Sequence, residues 1–386
     1  MKCLSTKATS IKPSGIRKFF DLASTMEGVI SLGVGEPDFA TPWHICENAI
    51  HYMSTGHTHY TANRGLLELR EEICKFHKEH YNQVYDPENE VIVTIGGSEA
   101  IDLCMRALLN PGDEVIVLDP NYVAYAPSVI LSDGVVVSLK LKEENDFKIL
   151  PEDLKKVITP KTKAMIINYP SNPTGGVMTK EDYAKIIDII KESGIYVISD
   201  EIYAELSFDQ PFASLAQFDE IKSQIIVVNG FSKAYAMTGW RLGYCMANKE
   251  LSSVMNKIHQ YVIMSAPVMS QYAGIEAIKN GYDDVLMMKD DYLKRRNFLV
   301  NRLNRMGLKT NMPHGTFYVF CNIQSTGLDS ETFCERLLQE QKVACVPGNA
   351  FGNSGEGYVR ISYAYSIDHI KEAIVRLEQF LKDLEN

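Results

Sequence analysis

A chain of 386 residues, 45% hydrophobic and 23% charged, has a folded globular composition and more length than one ordinary core needs. Two domains are therefore expected. The formal charge of −10 speaks against a generic nucleic-acid binder, which shows a basic face, while leaving room for a small anionic ligand in a locally positive pocket.

The eight cysteines are scattered without a C-x-x-C pair, so neither a metal site nor a disulfide framework is indicated, and reduced thiols in a cytoplasmic protein are expected. No apolar run approaches the roughly 18 residues of a membrane helix, and the basic N-terminal stretch lacks the continuous apolar segment of a signal peptide.

In chain order, short β-rich runs alternate with helical patterns through the middle of the sequence. Strands are expected at 91–95, 115–118, 135–139, 164–168, 196–199, 225–228 and 242–247, with helices at 99–109, 122–131 and 180–191. The alternation is that of an α/β protein with a mostly parallel sheet between layers of helices. From about residue 283 the texture changes: a charged helix at 284–306, a strand at 316–321, and helices at 330–341 and 366–384. A smaller α+β domain joined by the N-terminal arm is expected, dividing the chain into 1–44, 45–283 and 284–386.

In such sheets ligands gather at the carboxyl ends of the strands, and several ends here carry reactive groups. After the first strand comes "GGSEA" (96–100), whose glycines permit close backbone approach and whose free N–H groups suit a phosphate; an ordinary loop and helix cap reads the same way. "NYPSNPTGG" (168–176) brings Asn172, able to donate and accept, within what is otherwise a turn-rich connector. "DEIY" (200–203) sets Asp200 at a strand end, where an aspartate also caps helices. "NGFSKAYAMTGWRLGY" (229–244) puts Lys233 just past an apolar strand, beside Ser232 and eight residues before Arg241.

Together these groups fit one ligand, a phosphorylated aromatic aldehyde with a basic ring nitrogen. Lys233 would form a Schiff base with the aldehyde. Asp200 would keep the ring nitrogen protonated, and Asn172 and Tyr203 would bond the phenolic oxygen. Arg241, Ser232 and the amides of Gly97, Ser98 and Glu99 would hold the phosphate. That ligand is pyridoxal 5'-phosphate.

With these blocks stand "SLGVGEPDF" (31–39), "HYTANRG" (59–65), "HGTFYVF" (314–320) and "VRISYA" (359–364), and over essentially its full length the sequence resembles the class-I pyridoxal-phosphate aminotransferases of fold type I. The resemblance implies that Lys233 is the Schiff-base lysine, Asp200 the pyridinium partner, and Asn172 and Tyr203 the partners of the phenolic oxygen. Tyr122, in "DPNYVAY", falls where the family stacks an aromatic ring on the cofactor. Arg360 resembles the arginine that forks onto the substrate α-carboxylate, a bidentate task that lysine performs poorly, and Gly35 lies where the N-terminal loop passes that carboxylate. Tyr60 resembles a tyrosine lent to the partner's phosphate, implying a homodimer with shared sites. One position departs: many relatives have serine, a phosphate donor, where this chain has Gly230.

The implied activity is ping-pong transfer of an amino group from an L-amino acid, aromatic or aspartate-like, to a 2-oxo acid such as 2-oxoglutarate. The stretch 257–267, "KIHQYVIMSAP", lacks the second arginine common in dicarboxylate specialists and offers Tyr261, Met264 and Ser265; "IRKFF" (16–20) adds apolar surface. An aromatic or apolar donor is therefore expected. A β-C–S lyase of the same fold would keep Lys233, Asp200 and Arg360, and is the alternative. An aminotransferase-like regulator would need a DNA-binding module ahead of "GEPDF", and a nicotinamide dehydrogenase a G-x-G-x-x-G after the first strand. Neither pattern is seen.

Overall fold

The structure is a computed structural model, and it describes residues 3–11, 13 and 26–384. The "IRKFF" segment lies outside the described residues.

After a short first strand, β1 (Ile30–Ser31), come the seven strands of the central sheet: β2 (Val91–Thr94), β3 (Glu114–Asp119), β4 (Val135–Lys140), β5 (Thr162–Asn168), β6 (Tyr196–Asp200), β7 (Ile225–Gly230) and β8 (Gly243–Met246). Their spatial order is β2-β8-β7-β6-β5-β3-β4, with β8 antiparallel to both neighbours and the other pairings parallel. The expected mostly parallel sheet is thus observed.

The period of two along each strand divides its side chains between two cores. Ile92, Val115, Val117, Ile198, Ile226 and Val228 pack with the helices Gly96–Leu108 and Lys249–Val262. Val91, Val93, Ile116, Val197, Ile225 and Val227 pack on the opposite face with Leu67–Tyr81 and Val268–Asn280. Burial on both faces explains why these strands read as unbroken apolar runs rather than as alternating ones.

Two expected helices differ. The one placed at 122–131 begins at Tyr125, because Asn121 N donates to Phe351 O at 2.8 Å and pins the preceding turn. The one placed at 180–191 is divided into Lys180–Ala184 and Ile187–Ser193. Between them Lys185 N and Ile186 N bond three residues back, to Asp182 O and Tyr183 O, and this tighter turn lets Ile186 and Ile187 both enter the core.

The C-terminal region builds its own core on a sheet of order β11-β12-β9: β9 (Tyr318–Asn322), β11 (Val346–Pro347) and β12 (Tyr358–Ser362). Helices Tyr282–Arg305, Ser330–Gln341 and Ile367–Leu384 cover it. The last buries Ile370, Ala373, Ile374, Leu377 and Phe380, one stripe at helical spacing. A two-residue parallel ladder between β1 and β10 (Val343–Ala344) ties the N-terminal arm to this region. Helix Tyr282–Arg305 spans both cores, with Val285 in the first and Met288, Tyr292, Leu299 and Leu303 in the second.

Candidate active site

A cavity of about 320 Å³ opens at the carboxyl ends of β5, β6 and β7, where the sheet meets the arm and the C-terminal sheet. β5 delivers Asn168 and the Asn172 turn, β6 delivers Asp200 with Tyr203 beyond it, and the loop after β7 delivers Ser232 and Lys233. Gly35, Tyr318 and Arg360 close the cavity from the other side.

Asp200 is buried, and its oxygens have separate partners. Tyr125 Oη donates to Oδ2 at 2.7 Å, and Ile202 N donates to Oδ1 at 3.2 Å. Burial raises its pKa to about 6, against the opposing pull of the Tyr125 hydroxyl. The Asp200 backbone carbonyl accepts from Asn168 Nδ2 at 2.9 Å, while Asn168 Oδ1 accepts from Asn172 N at 2.9 Å. One asparagine thereby sets the carboxylate relative to the Asn172 turn. Asp200 caps no α-helix, since only the short 3₁₀ turn Ala204–Leu206 follows.

Lys233 Nζ donates to Gly35 O at 2.7 Å and lies 6.0 and 5.9 Å from the ring centroids of Tyr203 and Phe317. Its pKa falls to about 8, first because burial penalises the ammonium and then because Arg360 repels it. A lysine so placed is readily deprotonated, as a nucleophile or proton carrier must be.

Arg360, on β12, is also buried. Its Nη1 donates to Asn172 Oδ1 at 2.8 Å and its Nη2 to Gly33 O at 2.6 Å, while its Nε has no acceptor among the described residues. The guanidinium carbon sits 4.2 Å from the Tyr318 ring centroid and 4.8 Å from that of Phe351. A buried guanidinium with an unsatisfied donor is suited to an incoming anion.

At the opposite end, Arg241 adopts the left-handed conformation at φ 52° and donates from Nη1 to Thr238 O at 3.0 Å. Its guanidinium lies against Gly96, where a Cβ would meet Nη2 at 2.8 Å. A Cβ on Gly243 would meet the Gly96 carbonyl carbon at 2.6 Å, so only glycine allows β8 to run this close to the helix start. Gly97 and Ser98, in the first turn of Gly96–Leu108, line the cavity beside Ser232 and Arg241. Helix amides, a hydroxyl and a guanidinium converge there as a phosphate requires.

The cavity also takes in Tyr122, whose ring is edge-on to that of Tyr125 at 5.5 Å. Two sequence-derived residues lie elsewhere. Glu99 turns its carboxylate away, accepting from Ile95 N at 2.5 Å and pairing with His259 Nδ1 at 2.6 Å, so it caps its own helix and braces it to Lys249–Val262. Tyr60 is 83% exposed in a separate groove with His59, Ser265 and Pro267. Tyr261 and Met264 are also exposed. At Gly230 a Cβ would meet Gly243 Cα and Leu242 O at 3.0 Å each, so the strand pair is built around glycine at this position.

Tyr125 and Tyr318 had no role in the sequence reading. Both lay in blocks already singled out, "DPNYVAY" and "HGTFYVF", and the second tyrosine of "DPNYVAY" was the available signal. The donor set fits pyridoxal phosphate: a half-buried amine for an aldehyde, a buried carboxylate for a ring nitrogen, and a helix start with Arg241 for a phosphate.

Among the described residues no cluster of His, Cys, Asp or Glu could hold a metal ion, and no helix is long and apolar enough to cross a membrane. A sequence-family model described as aminotransferase class I and II matches residues 27–377. The Bacillus subtilis protein YugH is 50% identical over 98% of each chain. The aromatic-amino-acid aminotransferase 2 of Thermococcus litoralis is 43% identical over 98% of each chain. Aspartate aminotransferase from Thermus thermophilus, solved with maleate, superposes with a TM-score of 0.94 at 36% identity, covering 98% of this chain and 100% of that one. The chain belongs to the class I and II aminotransferases and is a pyridoxal-phosphate-dependent aminotransferase of fold type I.

Proposed function

We propose that this aminotransferase works as a cytoplasmic homodimer preferring an aromatic or other apolar L-amino acid as donor, with a 2-oxo acid such as 2-oxoglutarate as acceptor. The observation that carries the reading is the meeting of Lys233, Asp200 and Arg360 in one cavity whose remaining walls include Tyr122, Tyr318, Ile101 and Ile202. Arg241 faces the phosphate end, which among the described residues leaves Arg360 as the arginine available to the substrate and no further lining cation for a second carboxylate. Burying an unpaired carboxylate is costly, whereas a Phe-sized side chain gains on the order of 1.5–3 kcal/mol from burial.

When bound, pyridoxal phosphate supplies the aldehyde carbon that takes up the amino group and a ring that withdraws charge from the substrate α-carbon. In this reading the chain's own residues divide the remaining work. Arg360 and the backbone near Gly35 seat the α-carboxylate, with Asn172 orienting the guanidinium. Lys233, with its amine free, would be the base that takes up and carries the substrate α-proton. Asp200 keeps the ring nitrogen protonated, and Tyr203 and Asn172 bond the phenolic oxygen. Tyr122, which lines the cavity, would stack on the ring. Ser98, Ser232, Arg241 and the amides of Gly97, Ser98 and Glu99 hold the phosphate, joined by Tyr60 of the partner subunit. The exposure of Tyr60, Tyr261 and Met264 supports an interface there.

The domain limits 1–44, 45–283 and 284–386 belong to the same reading, supported by the separate C-terminal core. Steady-state kinetics with tyrosine, phenylalanine and aspartate, each against 2-oxoglutarate, test the donor assignment. A higher kcat/KM for the aromatic donors is expected, and a tenfold preference for aspartate overturns it.

A further inference from the structure

Tyr318 touches both ends of the proposed chemistry. In the β9–β12 ladder Arg360 is paired with Phe320, and Tyr318, two residues before Phe320 on the same face, is its diagonal neighbour. This register carries the Tyr318 ring beneath the guanidinium, 4.2 Å from centroid to carbon. The Tyr318 hydroxyl reaches the hydroxyl of Tyr203 at 3.0 Å, and both residues are buried. The far side of that hydroxyl is closed by the arm, where a Cβ on Gly35 would overlap it.

The bond between the two phenols has a direction once the cofactor is present, on the reading that Tyr203 bonds the phenolic oxygen. That oxygen, ionised, can only accept, and Tyr203 has a single proton to give. The 3.0 Å bond then persists only with Tyr318 as donor. Burial raises the Tyr318 phenol, and the Arg360 charge opposes that rise, which favours the tyrosine beneath the guanidinium as donor. A hydroxyl that accepts a hydrogen bond donates a stronger one.

From this geometry we infer that Tyr318 is a positioning residue: its hydroxyl donates to Tyr203 and strengthens the bond that Tyr203 gives to the cofactor's phenolic oxygen, while its ring supports the substrate-binding arginine. A stronger bond favours the ionised phenolic oxygen, so Tyr318 lowers the pH at which the visible spectrum of the bound cofactor titrates.

The test is spectrophotometric pH titration of the holoenzyme for wild type, Tyr318→Phe, Tyr203→Phe and the double variant. Phenylalanine keeps the ring under Arg360 and removes only the hydroxyl, and circular dichroism with thermal melting verifies the fold. Tyr203→Phe is expected to raise the titration midpoint by about one pH unit or more, the loss of a hydrogen bond to a charged group. Tyr318→Phe is expected to raise it by roughly 0.2–0.5 unit, and to add nothing in the Tyr203→Phe background. If Tyr203→Phe moves the midpoint and Tyr318→Phe does not, the relay is wrong and the Tyr203 assignment stands. An equal Tyr318→Phe shift in both backgrounds overturns the relay as well, since the effect then bypasses Tyr203. No shift in any variant overturns the Tyr203 assignment itself.

Discussion

The phenol of Tyr125 donates to Oδ2 of Asp200 across 2.7 Å, joining the first residue of helix Tyr125–Leu131 to the end of β6. This bond favours the carboxylate over the neutral acid, working against burial that raises the group to about 6. Without it, Asp200 would hold a positive ring nitrogen less firmly. Tyr125→Phe is expected to reduce kcat about tenfold, the worth of one such bond. Asp200→Asn, which removes the charge itself, should cost several orders of magnitude and loosen the cofactor. Single-turnover rates and dialysis of the holoenzyme measure the two effects. Near-normal rates in Asp200→Asn would reduce the aspartate to a structural role.

Lys233→Met should abolish turnover and leave a protein without the wild type's pH-dependent visible band. In the cofactor-free form the same substitution should raise the melting temperature at neutral pH. The folded-state value of about 8 lies below the ordinary 10.5, so folding disfavours the charged amine. That destabilisation is complete below about 8 and is relieved as pH rises from there toward 10.5, where the unfolded chain also loses its proton. The advantage of Lys233→Met should therefore shrink over that interval. Calorimetry of both apoproteins across pH is the measurement, and a constant difference contradicts the buried-amine description.

Arg360→Lys keeps the charge and loses the fork. A lysine cannot satisfy Asn172 Oδ1 and Gly33 O while also gripping a carboxylate with two parallel bonds. The expected result is a fall in kcat/KM of roughly 10²-fold or more, with the cofactor's spectrum nearly unchanged. A spectrum displaced as strongly as in Asp200→Asn would place Arg360 on the cofactor rather than on the substrate.

Gly230→Ser installs the hydroxyl found in many relatives, yet it should not improve cofactor binding. Its Cβ would press on Gly243 Cα and Leu242 O at 3.0 Å, both of them backbone. A cost of about 1–3 kcal/mol is expected for such overpacking, read as a lower melting temperature. A gain in cofactor affinity without loss of stability would show that β7 and β8 can separate at this point.

The sheet was legible because its inner strands, buried on both faces, leave unbroken apolar runs, and each of the seven, the half-exposed edge strand β4 included, was located to within one or two residues. The break at Lys185 and Ile186 was not, because a helix and two helices with one tightened turn share nearly the same periodicity. Arg360, in the middle of β12, was marked only by the family resemblance, whereas Lys233 and Asp200 stood out as charges at or just past strand ends. Tyr125 and Tyr318 did not, since a phenol amid apolar neighbours carries no mark of its hydrogen bonds, and their partners lie 75 and 115 residues away. Glu99 was assigned by its backbone amide; its side chain followed capping chemistry instead.

The arm's grip on the chemistry has a consequence for motion. Gly33 O is held by Arg360 and Gly35 O by Lys233, so the two cations that meet the substrate are also two of the arm's moorings. A carbonyl carbon on Lys233 would withdraw one donor from the arm, whereas Arg360 has its Nε to offer a carboxylate. The arm is also tied by Ile30 N on Lys342 O, by Leu32 with Ala344 and Ser362, by Val34 N on Tyr365 Oη, by Glu36 with Thr238 and by Asp38 with Arg295. Residues 33–35 would then keep their hold on Arg360 while giving up the one on Lys233.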